Sequence, residues 1–285
     1  MEIKGIQIDK MTVVGQLNTE LSYALQNAVD EPHVRIKGLP TTGYIEGQFF
    51  FYGYSEPVYY CYDDVNSNAM GKRNFRMEFN PSKITSEQTQ WLKDRIIYVL
   101  DDVGITRLDL AFDCNFDLSL FNFEFKNALK SSEHKDRTGK IETMYFGSRN
   151  SDIYYRIYNK KLELKEKQDV IIDDPILWRY EIEMKNADTI EKIIDYKLPI
   201  FDDKRIIQYD VDSLPVNDSL IITGLLAKPE LMGRLSKNTR TKYRKMLKSL
   251  GGFDVTPLFI EKLNEKKPEL IGQINSWRKI DYSVS

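Results

Sequence analysis

Apolar and polar positions alternate with a period of two through several stretches of the chain, which predicts β-strands with one greasy and one polar face. In Arg107–Asp113 the leucines and the phenylalanine take one face, leaving Arg107, Asp109, Ala111 and Asp113 on the other. Tyr154–Glu163 puts Tyr154, Arg156, Tyr158 and Lys160 on one face and Tyr155, Ile157 and Asn159 on the other. Trp178–Met184 sets Arg179, Glu181 and Glu183 against Trp178, Tyr180, Ile182 and Met184, and Ile141–Gly147 adds Glu142. Neighbouring in one sheet, these strands would share a face that carries a tyrosine, several carboxylates and a few cations.

The order of elements occurs twice. A strand over residues 6–17 leads to a helix capped by Asn18, a hairpin from Gly47 to Tyr62, a strand at Phe75–Asn80 and a helix opened by the capping box Thr85–Gln88. From Arg107 it begins again: a strand, a helix through Phe121, Phe125, Ala128 and Leu129, a hairpin turning at Arg149–Asp152, a strand at Trp178–Lys185 and a helix through Ile190, Ile193 and Ile194. Tyr59–Tyr62 echoes Tyr155–Tyr158, and Phe75–Glu78 echoes Trp178–Glu181. This reads as a duplicated strand, helix, hairpin, strand, helix unit. Aligning Met11–Leu17 with Arg107–Asp113 sets Val13 against Asp109 and Leu17 against Asp113, so the second copy holds the acids. The expected fold is α+β: a large antiparallel sheet from two duplicated halves, helices on one face, and a helical C-terminal region. The corresponding segments are 1–104, a scaffold half, 105–200, the half that carries the chemistry, and 201–285, the helical C-terminal region.

Beyond about residue 200 the strand signals fade, and Asp218–Leu226, Asn238–Leu250, Thr256–Asn264 and Pro268–Trp277 read as helices, punctuated by Gly251-Gly252 and Pro268. Between Glu230 and Asp254 there is no acid, while Arg234, Lys237, Arg240, Lys242, Arg244, Lys245 and Lys248 crowd together. Together with Asn238, such a helix suits a phosphate backbone, although a solvated basic face has the same composition.

Composition removes several classes. The net charge of −2 hides this local basic run. Two cysteines, Cys61 and Cys114, make no disulfide framework and read as free thiols. His33 and His134, both in loop-like sequence, exclude a His-based metal site on one element. Gly71-Lys72 and Gly139-Lys140 lack the upstream glycine of a phosphate-binding loop, so ATP hydrolysis is not expected. Residues 1–20 read as neither signal nor transit peptide, no apolar run spans a bilayer, and a cytosolic location is expected.

Arg107–Asp113, Glu142–Gly147, Arg156–Glu163 and Trp178–Lys185, with Met11–Gly15, Arg76–Pro81 and Leu225–Lys248, resemble the Rep-trans family of plasmid rolling-circle replication initiators, of the staphylococcal RepC and RepD type. The resemblance implies a homodimer that binds a stem-loop at the plasmid double-strand origin and nicks one strand. It implies a 5′-phosphotyrosine link, a free 3′ hydroxyl for priming, strand rejoining at termination, and a host superfamily-one helicase as partner. The family's Arg-x-Tyr-Asn-Lys-Lys motif puts the nucleophile at Tyr158, and origin discrimination at Arg234–Lys248. A phenol ionises only near pH ~10, so it needs a cation or a base to attack at neutral pH. Arg156 and Lys160 are candidates to hold the phosphate. Asp109, Glu142 and Glu181 are candidates to hold a divalent ion, Mg2+ or Mn2+, with Asp113 and Glu183 behind them. A non-catalytic origin-binding protein is the alternative, and a nuclease using water as nucleophile a second. Tyr154, Tyr155, Tyr145 and Tyr180 compete for the nucleophile's role, Tyr155 and Tyr180 being expected among the apolar side chains.

Overall fold

The computed structural model describes residues 1–17, 44–49, 51, 56–125, 130–185, 190, 200–201 and 204–278. Two long strands, β1 (Ile3–Gln16) and β5 (Asp101–Cys114), pair antiparallel at the centre of a nine-stranded sheet. On the β1 side follow β4 (Phe75–Phe79), β3 (Val58–Asp63) and β2 (Tyr44–Phe49). On the β5 side follow β10 (Trp178–Met184), β9 (Ile153–Asn159), β8 (Ile141–Phe146) and β7 (Ser131–Lys135). Read outward from the central pair, the two wings take their strands in the same order, the arrangement a duplicated unit produces.

Strand alternation assigns the faces as the sequence pattern predicts. Phe112 and Tyr180 point into the core, where Phe259 of helix α6 (Thr256–Ser276) meets both rings at centroid distances of 5.5 and 5.4 Å. Leu263, Leu270 and Ile274 of the same helix, and Leu92 of α2 (Ser86–Arg95), join this core. The Thr85 capping box holds the start of α2, with Thr85 Oγ1 accepting from Gln88 N. The short α1 (Asp64–Met70) links β3 to β4. The β8–β9 turn needs a glycine: Gly147 has φ +98°, and a Cβ there would stand 3.0 Å from Ile153 O.

Several local expectations change. Asn122–Phe125 forms a strand, β6, after a single turn at Leu118–Leu120; Phe123 and Phe125 share one face of it, both meeting Phe146, with Phe123 stacked on Tyr180 and Phe125 tilted against Tyr155, which a helix would not allow. Strands also occur past residue 200: β11 (Lys204–Tyr209) joins β6 and β12 (Gly252–Asp254) in a second, three-stranded sheet. Pro268 does not divide the last helix. Strand β5 starts at Asp101, and His134 lies in strand β7 instead of a loop. The helices expected after Asn18 and over Ala128–Leu129, and most of the one at Ile190, fall outside the described residues, as do His33 and the tip of the first hairpin.

Register also corrects the internal alignment. Arg76 pairs with Val14 and Cys61, whereas Arg179 pairs with Asp113 and Tyr158. Matching the Arg-x-Glu segments therefore sets Val14 against Asp113 and Cys61 against Tyr158, three positions and one position away from the sequence-based echoes. The first half still lacks counterparts of Asp109 and Asp113, although its own Asp9 reaches Arg179.

Residues 211–250 have a small core of their own around Ile222, Leu225 and Tyr243, made by α4 (Val216–Ala227) and α5 (Lys237–Ser249). Among the described residues no helix is long and apolar enough to cross a membrane.

Candidate active site

Three cross-strand rows build the polar face of the second wing. Asp113, Arg179 and Tyr158 stand side by side on β5, β10 and β9, and Thr143 of β8 extends the row. The next row runs Ala111, Glu181, Arg156, Tyr145, and the third Asp109, Glu183, Tyr154. Directly paired residues point the same way, so Tyr158, Arg156, Glu181 and Asp109 share a face as the sequence pattern requires.

This polar face is largely sealed from water. Asp109, Arg179, Glu181 and Glu183 are only 2, 5, 9 and 6% exposed. Buried charge must be paired, and two guanidinium forks supply most of the pairing. Arg107 donates to both oxygens of Asp109 at 2.8 and 2.6 Å and to Glu183 at 2.8 Å. Arg179 donates to Asp113 at 2.7 and 2.9 Å and to Asp9 at 2.8 Å. Burial pushes the Asp109 carboxyl up to about 6 against the pull of Arg107.

Glu181 is the exception. Its Oε2 is buried with no hydrogen bond, and the nearest cation, Arg156 Nη1, stands 3.9 Å away. Burial, reinforced by the charge of Asp9, raises its carboxyl to about 7. An unpartnered buried carboxylate beside a tyrosine is costly in a fold and typical of a working site.

Tyr158 is 3% exposed, with the Arg156 guanidinium carbon 3.9 Å and Lys160 Nζ 5.6 Å from its ring centroid. Burial, then the negative field of Glu181, drives its phenol far above the ordinary tyrosine range. Both cations are tied to Glu163, which accepts from Arg156 at 3.1 Å, Lys160 at 2.7 Å and Lys167 at 2.9 Å. Burial would raise the Glu163 carboxyl, but those lysine bonds and charges win and hold it at about 2. Lys160 reaches the ring from the first turn of helix α3 (Lys160–Gln168), not from the strand, because Asn159 caps that helix by accepting from Leu162 N at 3.0 Å.

Glu142 falls at an irregularity in the β7–β8 pairing, where Lys135 pairs with Ile141 and His134 with Thr143, and it is not among the β8 residues that pair with β9. Asp109 has both oxygens on Arg107. Among the described residues no three His, Cys, Asp or Glu side chains converge to hold a metal. As arranged, the expected trio does not fit a divalent ion, and Glu181 alone offers an open oxygen.

The pattern missed Glu163, because a helix rather than the strand brings it back to Tyr158. It also missed Arg107 and Arg179 as clamps, although both lay on the polar stripes. Tyr155 and Tyr180 point into the core as expected, their rings 6.1 Å apart. A cleft of about 280 Å³ opens along the Arg156 row, walled by Arg107, Arg149 and Arg156 with Tyr145 and Tyr154, above Glu181 and Glu183.

The expected DNA-contacting residues divide in two. Lys237, Asn238, Arg244, Lys245 and Lys248 are exposed along α5, and Arg234 precedes it. Arg240 instead donates to Gly233 O and Leu235 O, and Lys242 pairs with Asp218 at 2.7 Å.

Two family models match this chain: "Replication initiation protein, N-terminal" over residues 10–100 and the Rep_trans model, "Replication initiation factor", over 114–201. A Staphylococcus aureus replication initiation protein is 38% identical over 96% of this chain and 85% of its own length, and a second from that organism is 37% identical over the same shares. The chain belongs to the Rep-trans family of replication initiation proteins. A solved rolling-circle replication initiator from Geobacillus stearothermophilus overlaps 78% of this initiator and 84% of its own chain, at 18% identity and a TM-score of 0.40. In this initiator the N-terminal match covers the wing with Cys61 and Arg76, and the second match covers Tyr158, Arg156, Glu163 and Glu181.

Proposed function

We propose that this initiator is a site-specific DNA nicking-closing enzyme of rolling-circle plasmid replication, with Tyr158 as nucleophile. The observation that carries the reading is the pairing of Tyr158 with Arg156 and the hydrogen-bond-free Glu181 on one sealed face of a replication initiator. The Tyr158 hydroxyl oxygen attacks phosphorus, a 5′-phosphotyrosine bond forms as the bond from phosphorus to the 3′ oxygen breaks, and the departing 3′ oxygen takes a proton from water while the phenol proton goes to Glu181. A phenol this hard to ionise cannot wait as phenolate, so its proton passes out as the bond forms. Glu181, raised to about 7, is matched to accept that proton near neutral pH, and Arg156 faces the charge that develops on phosphate. The bond energy stays in the phosphotyrosine, so the reverse step rejoins strands without ATP.

Origin DNA, read as a stem-loop, is the proposed substrate, with the exposed basic side of α5 on its backbone. A homodimer and a host superfamily-one helicase complete the proposal. As arranged, the expected trio does not fit a Mg2+ or Mn2+ ion, so no step is assigned to one. The test is incubation with supercoiled plasmid carrying the cognate origin, with and without each metal, resolved on a denaturing gel. A nick with protein attached, absent in Tyr158→Phe, supports the reading. A nick without attached protein points to water as nucleophile, and binding without a nick to a non-catalytic origin binder.

A further inference from the structure

We propose that the cleft beside Tyr158 seats one unpaired DNA nucleotide next to the scissile phosphate, its base against the partly exposed Tyr145 ring and its phosphate on Arg149. This deepens the nicking reading and rests on it.

The Tyr145 and Tyr154 rings stack on each other at 5.8 Å and 22°, and the His134 ring meets Tyr145 edge-on at 5.5 Å. Both tyrosines line the cleft, Tyr145 partly exposed and Tyr154 only 6% exposed beneath Arg149, whereas Tyr155 and Tyr180 stack inside the core. Arg149 lies over both, its guanidinium carbon 4.6 Å from the Tyr154 centroid and 5.7 Å from that of Tyr145.

The cleft's three guanidiniums are not equivalent. Arg107 is committed to Asp109 and Glu183, and Arg156 to Glu163. Arg149 is exposed and, among the described residues, has no carboxylate partner. It is nevertheless held in place. Ser151 Oγ lies 2.6 Å from both Ser148 O and Ile153 O and donates its one proton between them, Lys185 Nζ donates to Arg149 O, and Lys185 N donates to Asp152 O at 2.8 Å. A fixed turn thus carries an uncommitted cation above two stacked rings, the two components of a site for single-stranded nucleic acid.

Paired bases hide their faces in the helical stack, so such a platform engages only a base that has left the duplex. At about 280 Å³ the cleft is at the small end of ligand pockets and suits one nucleotide, not a helix. Tyr154 precedes Tyr158 by two strand positions on the same face, which sets the seated nucleotide beside the reacting phosphate.

The experiment uses the full chain carrying Tyr158→Phe, so that nothing is cut, and a fluorescent single-stranded oligonucleotide spanning the nick mapped in the plasmid assay. Anisotropy is compared for that parent, Tyr145→Leu and Arg149→Ala, and for oligonucleotides with one abasic position stepped along the strand. Tyr145→Leu is expected to weaken binding about tenfold, within the roughly 5- to 150-fold span of a lost base stack. Arg149→Ala should flatten the salt dependence by about 0.7 in log–log slope. One abasic position beside the nick should erase the Tyr145 effect. Arg149 is exposed, so its variant reads out even if Tyr145→Leu folds poorly. Parental affinity in both variants overturns the inference and leaves nicking intact, as does a plasmid-nicking protein that ignores the single strand. Absence of plasmid nicking overturns the functional reading and this inference with it.

Discussion

In the first wing Arg76 stands between Val14 and Cys61, while its counterpart Arg179 stands between Asp113 and Tyr158. One position further along, Glu78 has Thr12 and Tyr59 beside it, and Glu181 has Ala111 and Arg156. The two Arg-x-Glu pairs occupy the same place in the same strand order and behave differently. The Arg76 side chain is 52% exposed and pairs with Glu78 in its own strand. That of Arg179 is 6% exposed and reaches across to two acids, leaving Glu181 without a hydrogen bond. An exposed pair of this kind contributes little. A buried fork holds its neighbours at fixed positions, as chemistry on a phosphate demands. The difference was made by what stands beside the arginine: a tyrosine and an aspartate in one wing, a cysteine and a valine in the other.

The sharpest way to break this comparison is to exchange the side chains that define it. Tyr158→Phe is expected to remove nicking and the protein–DNA link altogether, whereas Cys61→Ser should leave both unchanged on the same gel. Next in size is the arginine pair. Arg179→Met strands Asp113 and Asp9 and should cost about 3–5 kcal/mol in urea unfolding, against less than about 1 kcal/mol for Arg76→Met. Equal costs would mean that the wings are energetically alike.

Glu181 gives a pH signature. Its carboxyl is raised to about 7 in the fold, so between the ordinary glutamate range and 7 the native state holds a proton that the unfolded chain has lost. Stability from this group is therefore complete at low pH and falls as pH rises through 7, by a total on the order of 3 kcal/mol. Glu181→Gln should flatten that slope in unfolding curves at pH 5 and 8. Nicking should run the other way, rising through pH about 7 as the base ionises, and Glu181→Gln should abolish the rise. The smallest effect lies in α5: Lys245→Ala should lower the salt slope of origin binding by about 0.9 with little change in nicking at saturation.

Much of the sheet was legible from alternation alone, because a period of two shows the faces of a strand without knowledge of its partners. That is why Tyr158, Arg156, Asp109 and Glu181 were placed together before any pairing was known. Register was not legible. It depends on contacts between distant segments, so the internal alignment slipped, and the irregularity that isolates Glu142 from the β8–β9 pairing was not visible. Glu163 escaped because the strand ends at Asn159, whose side chain starts a helix and turns Lys160 and Glu163 back over the ring. The strand at Asn122–Phe125 escaped because Phe121 and Phe125, four apart, fit a helical spacing, while Phe123 and Phe125 fit a strand, and only the rings they meet decide between the two.

The most direct measurement is the mass of the DNA-linked peptide. Trypsin cuts after Arg149, Arg156 and Lys160, so Ile157–Lys160 contains Tyr158 alone, while Tyr154 and Tyr155 fall in the preceding peptide. Nucleotide mass on Ile157–Lys160 is the predicted result. The same mass on Asn150–Arg156, or on a first-wing peptide containing Tyr59, would contradict the assignment of chemistry to Tyr158.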